Sequence, residues 1–149
     1  MFKVSRLTDY GVVLLRYLAS DCSPDLLSAR DLAGKSGLPL PTVSKLLKLM
    51  AHHKLISAKR GSLGGYELAV DLKAISLLRL IEIFEGTPGL TACLSEQHKA
   101  CQIGSSCPQR SAWFVVHKKI AEVLQATSLN ELIGSPITTT TIIRGQHGS

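Results

Sequence analysis

The sequence predicts a mainly α-helical chain with one small β-hairpin, and three observations carry that prediction. Two short amphipathic segments flank a glycine turn. A strand, a glycine-rich turn and a second strand follow directly. A long amphipathic stretch then lies beyond a segment that holds three of the four cysteines. Two short helices followed at once by a hairpin make a winged helix-turn-helix, continued here by a long helix. The expected organisation is one domain over residues 1–134, with the helix-turn-helix at about 28–53 and the wing at about 55–70. The cysteine loop falls at about 88–108, the long helix at about 109–126, and a polar tail at 135–149.

Leu7, Tyr10, Leu14, Tyr17 and Leu18 recur at helical spacing, which predicts a first helix over about residues 5–19. DCSPDLLS is a loop. Ser28 with Asp31 forms an N-terminal cap, the acidic side chain suiting the positive end of the helix dipole. The helix ARDLAGKS should stop at Gly37, and Pro41 suits the first position of the helix after it. In that helix Val43, Leu46, Leu47 and Met50 fall at i, i+3, i+4 and i+7, a stripe to be buried. Thr42, Ser44, Lys45, Lys48 and His52 occupy the opposite face.

LISAKRGSLGGYELAV reads as the wing, with Tyr66, Leu68 and Val70 alternating as a half-buried strand should. Lys59 and Arg60 stand where its first strand meets the turn, placed to reach a nucleic-acid backbone or minor groove. AISLLRLIEIFEG is a further amphipathic helix, apolar at Leu77, Leu80, Ile81 and Phe84 and ending at Gly86. QRSAWFVVHKKIAEVLQA is the long helix, with Trp113, Val116, Ile120 and Leu124 on one side, to pack on the domain or to form a dimer seam. SLNELI adds a short capped helix.

The formal net charge is +6 and the pI about 9.3, which favours an anionic partner. The excess is local: residues 1–73 carry eleven Lys/Arg against six Asp/Glu, residues 74–149 six against five. No stretch approaches the roughly 20 apolar residues that span a bilayer. Asp9, Arg16 and two tyrosines interrupt any signal-peptide core at the start, so no membrane association and a cytoplasmic location are expected. Four cysteines in a reducing compartment serve better as ligands or redox groups than as disulfides, with Cys22, remote from the rest, read as structural.

Cys93, Cys101 and Cys107 have the spacing C-x7-C-x5-C, with glycine and serine between the last two and proline after them. Irregular backbone of that kind can aim several sulfurs at one point, as iron–sulfur clusters require. A Cys3His zinc site would use the same thiolates with His98 or His117, and a disulfide switch would use two of them alone; spacing leaves all three open. Enzyme chemistry is not indicated. No Ser/His/Asp arrangement or C-x-x-C occurs, and GSLGG lies in a hairpin turn rather than in a phosphate-binding loop.

The order SRLTDYGVVLLRYLA, DLAGKSGLPLPTVSKLLKLMAHHKLI, KRGSLGGYELA, ISLLRLIEIFEG, three cysteines, a Trp-containing helix and SLNELI resembles the IscR-type family of iron–sulfur-sensing winged-helix regulators. SRLTDYG and CPQRSAW look most like the regulators of SUF cluster-assembly systems, and the resemblance covers about residues 1–134. It implies a homodimer on a pseudo-palindromic double-stranded DNA site, with a [2Fe–2S] cluster tuning expression of assembly genes. The alternatives within the same fold are a nitric-oxide-sensing repressor holding [4Fe–4S] and a zinc-stabilised repressor.

By position, Cys93, Cys101 and Cys107 match the family's cluster cysteines, Thr42, Ser44 and Lys45 its recognition helix, and Arg60 its wing arginine. Lys48 and Lys59 join the expected DNA contacts from the residue pattern. Two features depart from the family. The first cysteine gap is longer than in its best-known members. Arg110 also stands three residues past the last cysteine, where some members supply a histidine. Asp9 is the first candidate for the fourth ligand, followed by His98 and His117, and an ordinary solvated carboxylate is the plainer role for Asp9.

Overall fold

The computed structural model describes residues 3–20, 26–91, 93–94 and 101–134. The readings made for Cys22, His98 and the tail after residue 134 lie outside the described residues. Among the described residues six helices and one hairpin follow in the order α1 (Arg6–Leu18), α2 (Ala29–Ser36), α3 (Leu40–His52), β1 (Ile56–Lys59), β2 (Gly65–Leu68), α4 (Leu77–Glu85), α5 (Arg110–Ala126) and α6 (Leu129–Gly134). A 3-10 turn at Gly104–Ser106 precedes α5.

Local signals set the helix ends. The Ser5 hydroxyl accepts the Thr8 N–H at the start of α1. Ser28 and Asp31 form a reciprocal capping box: the Ser28 hydroxyl accepts the Asp31 N–H at 3.1 Å and the Asp31 carboxylate accepts the Ser28 N–H at 2.9 Å. The Ser28 side-chain and backbone bonds hold the Asp31 carboxyl below the usual carboxylate range. Gly37 ends α2 at φ 73°, a conformation open to glycine. Pro41 differs from expectation by one position: Pro39 caps α3, Leu40 is its first residue and Pro41 its second. Proline fits either of these early positions, because the N–H it lacks has no partner in the first turn.

The predicted stripe on α3 is the heart of the core. Val43, Leu46, Leu47 and Met50 are all buried, against Leu14 and Leu15 of α1, Leu32 of α2, Leu80 of α4 and Leu129 of α6. Each leucine-sized side chain so enclosed contributes roughly 1.5–3 kcal/mol. Gly11 lets α1 approach α4: a Cβ there would meet the Phe84 ring at 2.6 Å. The turn from α3 to the hairpin is closed by Lys54 in the left-handed region (φ 60°), with the Leu55 N–H donating to the Met50 carbonyl at 3.0 Å.

β1 and β2 pair antiparallel with Ile56 opposite Leu68 and Lys59 opposite Gly65. Leu27 exchanges two backbone bonds with Tyr66, tying the loop before α2 to the second strand. Tyr66, Leu68 and Val70 are half-buried, although β2 ends at Leu68 and leaves Val70 beyond it.

α5 departs most from the sequence pattern. None of its residues is buried, and none joins the core. At 1.5 Å per residue its 17 residues span about 25 Å, whereas the nine of α4 beside it span about 13 Å. Its C-terminal end is stitched to the start of α4 by the Leu77 N–H donating to the Thr127 carbonyl (2.8 Å) and the Ser76 hydroxyl to Gln125 (3.2 Å). The N-terminal half therefore overhangs. Trp113 and Val116 of the predicted stripe are exposed while Ile120 and Leu124 are half-buried, and Phe114 and Val115 are exposed as well.

Candidate nucleic-acid interface and cysteine segment

The face of α3 opposite its buried stripe carries the side chains expected to meet DNA. Lys45 and Lys48 are exposed, and Thr42 and Ser44 are half-buried beside them. The spacing accounts for this, since 45 and 48 lie about 150° around the helix from the centre of the row 43–46–47–50, and 42 and 44 about 90–110° to either side of it. Short hydroxyl side chains close to the helix axis and lysines reaching outward suit base edges and phosphates respectively. Beyond them at the helix end His52 is exposed, its ring edge-on to His53 with centroids 5.2 Å apart.

The wing separates the two basic residues that the pattern grouped. Ser57 and Lys59 share a face of β1 with Glu67 of β2, because Ser57 pairs with Glu67 in the register. The Lys59 ammonium meets the Glu67 carboxylate at 2.9 Å, and the Ser57 hydroxyl donates to the same oxygen at 3.3 Å. The hydrogen bond from Lys59 and then its charge hold the Glu67 carboxyl low, in spite of partial desolvation. Glu67 was not among the expected site residues, since its role depends on a strand register that no single segment displays. Arg60, one position on, is exposed and makes no ion pair among the described residues. The turn beyond it holds Gly61 at φ 123°, and Gly64 donates its N–H to the Gly61 carbonyl at 3.0 Å.

The cysteine-bearing segment connects α4 to α5. Its approach is anchored, for Glu85 at the last turn of α4 accepts the Ser5 N–H at 2.8 Å and the Thr8 hydroxyl. Burial pushes the Glu85 carboxyl up, but the bonds from Thr8 and Ser5 outweigh it and hold the group below the ordinary value. Cys93, Cys101 and Cys107 are all free thiols, Cys101 exposed and the other two half-buried. Cys93 shares a hydrogen bond with the Thr91 hydroxyl at 3.1 Å. The Gly104 N–H donates to the Cys101 carbonyl (2.9 Å) and the Arg110 N–H to the Cys107 carbonyl (3.3 Å), so successive turns carry Cys107 to the start of α5.

Among the described residues no three Cys, His, Asp or Glu side chains converge on a point that could hold a metal ion. The donor chemistry nevertheless fits a thiolate-ligated group, since none of the three sulfurs is in a disulfide and all are carried by one segment. Asp9 is exposed in the first turn of α1, where an acidic side chain also suits the helix dipole. His117 is half-buried in a shallow groove lined by Pro88, Gly89, Leu90, Ile120, Ala121 and Leu124. No helix among the described residues is long and apolar enough to cross a membrane.

Comparison with known proteins agrees with this layout. The family described as Rrf2, iron-dependent transcriptional regulator, has a sequence model that matches residues 4–135. The HTH-type transcriptional regulator IscR of Xenorhabdus nematophila is 25% identical over 124 residues, covering 83% of this chain and 74% of its own. The solved structure of IscR from T. potens is 26% identical with a TM-score of 0.64, over 89% of this chain and 87% of that one. CymR of Staphylococcus aureus is 25% identical with a TM-score of 0.66, over 90% and 100%.

Proposed function

Because the chain belongs to the Rrf2 family of iron-dependent transcriptional regulators, we propose that this DNA-binding regulator senses an iron–sulfur cluster and controls SUF-type cluster-assembly genes. It is a regulator and not an enzyme, as are the relatives it resembles. The observation that carries the reading is the set of three free thiols on one segment, held between α4 and α5 directly after the Glu85 tie to α1.

Cys93, Cys101 and Cys107 would hold the cluster, [2Fe–2S] in the first instance, with Asp9 or His117 supplying a weaker fourth position. When bound, the cluster supplies a group whose loss reports oxidants or iron shortage. The remaining steps belong to the chain. The overhanging apolar face of α5 pairs with a second copy in the cytoplasm, so two α3 helices address a pseudo-palindromic site together. Thr42 and Ser44 face base edges, while Lys45, Lys48 and Arg60 contact phosphates and Lys59 adds to the local positive field. Movement of the cysteine segment reaches α1 through Glu85, and α1 packs on α2 and α3.

A thiol–disulfide switch without metal is the second reading, favoured by the exposure of Cys101, which leaves its thiol accessible to oxidants. The deciding experiment is an absorption spectrum of protein purified without oxygen, with iron, sulfide and zinc assayed on the same sample. Visible charge-transfer bands with matching iron and sulfide, lost in Cys101→Ala, support the cluster. Stoichiometric zinc in a colourless protein turns the reading to a zinc-stabilised repressor. Neither metal after reconstitution leaves the thiol switch.

A further inference from the structure

Leu63 is 90% exposed, the most exposed of the large hydrophobic residues among those described; Val123 follows at 65%. It sits at the tip of the wing, in the turn Arg60-Gly61-Ser62-Leu63-Gly64, where short polar residues would satisfy every backbone requirement. The turn is tightly built. A Cβ on Gly64 would lie 2.3 Å from the Lys59 carbonyl oxygen, and one on Gly65 would lie 2.8 Å from the Leu27 backbone. Only glycine permits these close approaches, which pack the base of the turn on Lys59 and Leu27 while Leu63 stands outside them, exposed.

Its surroundings point to one occupant. Arg60, exposed and free of an ion pair among the described residues, flanks it, while Lys59 is drawn back along the strand by Glu67. An apolar side chain beside an available guanidinium suits a polyanion with apolar faces inside it. The minor groove of a duplex is such a surface, with phosphates at the rim and stacked bases between. A hairpin that follows the recognition helix directly in sequence lies within reach of the duplex beside that helix, where a basic tip can meet backbone or minor groove. Leucine is among the side chains that wedge between base steps there and kink the duplex.

We propose that Leu63 is a minor-groove wedge that enters a base step beside the major-groove half-site, with Arg60 on the adjoining phosphate. The inference rests on the DNA-binding reading and adds a specificity-determining residue to it. Pyrimidine–purine steps unstack most easily, so the wedge selects TA or CA/TG at a fixed offset from the half-site without a base hydrogen bond.

The test takes the full-length chain and a pool of random-sequence duplexes. The wild type should enrich duplexes with a pyrimidine–purine step at constant distance from the half-site; Leu63→Ser should lose that preference and keep the half-site. On a selected duplex carrying 2-aminopurine at the step, the wild type should raise fluorescence and Leu63→Ser should not. Affinity should fall about tenfold in Leu63→Ser, reflecting a leucyl side chain no longer buried. The slope of binding against salt should not change, because no phosphate contact is removed. Leu63→Met, which keeps an apolar wedge, should restore fluorescence and preference. If Leu63→Ser selects the same steps with the same affinity and fluorescence, the wedge is wrong while DNA binding stands. If the wild type enriches no duplex at all, the DNA-binding reading falls with it.

Discussion

The Glu85 carboxylate at the end of α4 accepts the hydroxyl of Thr8, a fully buried polar residue of α1, across 77 positions of sequence. The same oxygen accepts the Ser5 N–H at 2.8 Å, so one carboxylate closes the N-terminal cap of α1 from outside the helix. This joins the approach to the cysteine segment to the helix that supports α2 and α3.

Glu85→Ala should destabilise the fold by about 1–3 kcal/mol, since it leaves buried donors with fewer partners. The pH dependence has a defined sign. The folded Glu85 holds its proton less tightly than the unfolded one, so its stabilisation is complete above the ordinary glutamate range, about pH 4.3. It is lost as pH falls through the lower folded value. Denaturant unfolding from pH 7 to pH 3 should show a steeper acid loss in the wild type than in Glu85→Gln.

Gly11→Ala should cost about 1–3 kcal/mol, because the new methyl meets the Phe84 ring at 2.6 Å and forces α1 and α4 apart. Phe84→Leu, added to Gly11→Ala, should recover part of that loss. Thermal unfolding of the two single variants and the double variant measures the coupling.

Arg60→Ala should lower the slope of log affinity against log salt by about one per binding site, as the loss of a phosphate contact does. Lys59→Ala should lower it less, because Lys59 is already neutralised by Glu67 at 2.9 Å. Lys45→Ala and Lys48→Ala should each behave like Arg60→Ala. Titrations on one duplex at several salt concentrations separate the four.

Replacing Trp113 and Val116 together with lysine should weaken self-association by at least about 100-fold, the effect of losing a buried aromatic anchor and its neighbour. The subunit itself should keep its fold, since α5 contributes no buried residue to the core. Sedimentation equilibrium reports the first effect and circular dichroism the second. A variant that unfolds would show that α5 holds the subunit rather than the dimer.

The elements most legible in the residues were those governed by contacts a few positions apart. The α3 stripe 43–46–47–50, the Ser28–Asp31 box and the Gly37 stop each depend on one turn of helix, and each stands where periodicity or capping chemistry put it. What could not be read is long-range or register-dependent. Nothing near Glu85 in sequence announces Ser5 and Thr8, and nothing near Lys59 announces Glu67. Lys54 adopts a left-handed turn that composition would assign to glycine or asparagine. The apolar stripe on α5 was visible, but amphipathic spacing is the same whether a helix packs on its own chain or another. The cysteine spacing named three candidate ligands without showing how they would converge.

The stitching of α5 back to α4 has a last consequence. With the Leu77 N–H on the Thr127 carbonyl and Ser76 on Gln125, the start of α4 and the end of α5 are tied to each other directly. Lengthening the intervening stretch adds only about 0.6 kcal/mol of closure entropy per doubling. The cysteine-bearing segment thus hangs between two fixed posts, and its wide first cysteine gap is a change of length that the fold carrying α3 accommodates at little cost.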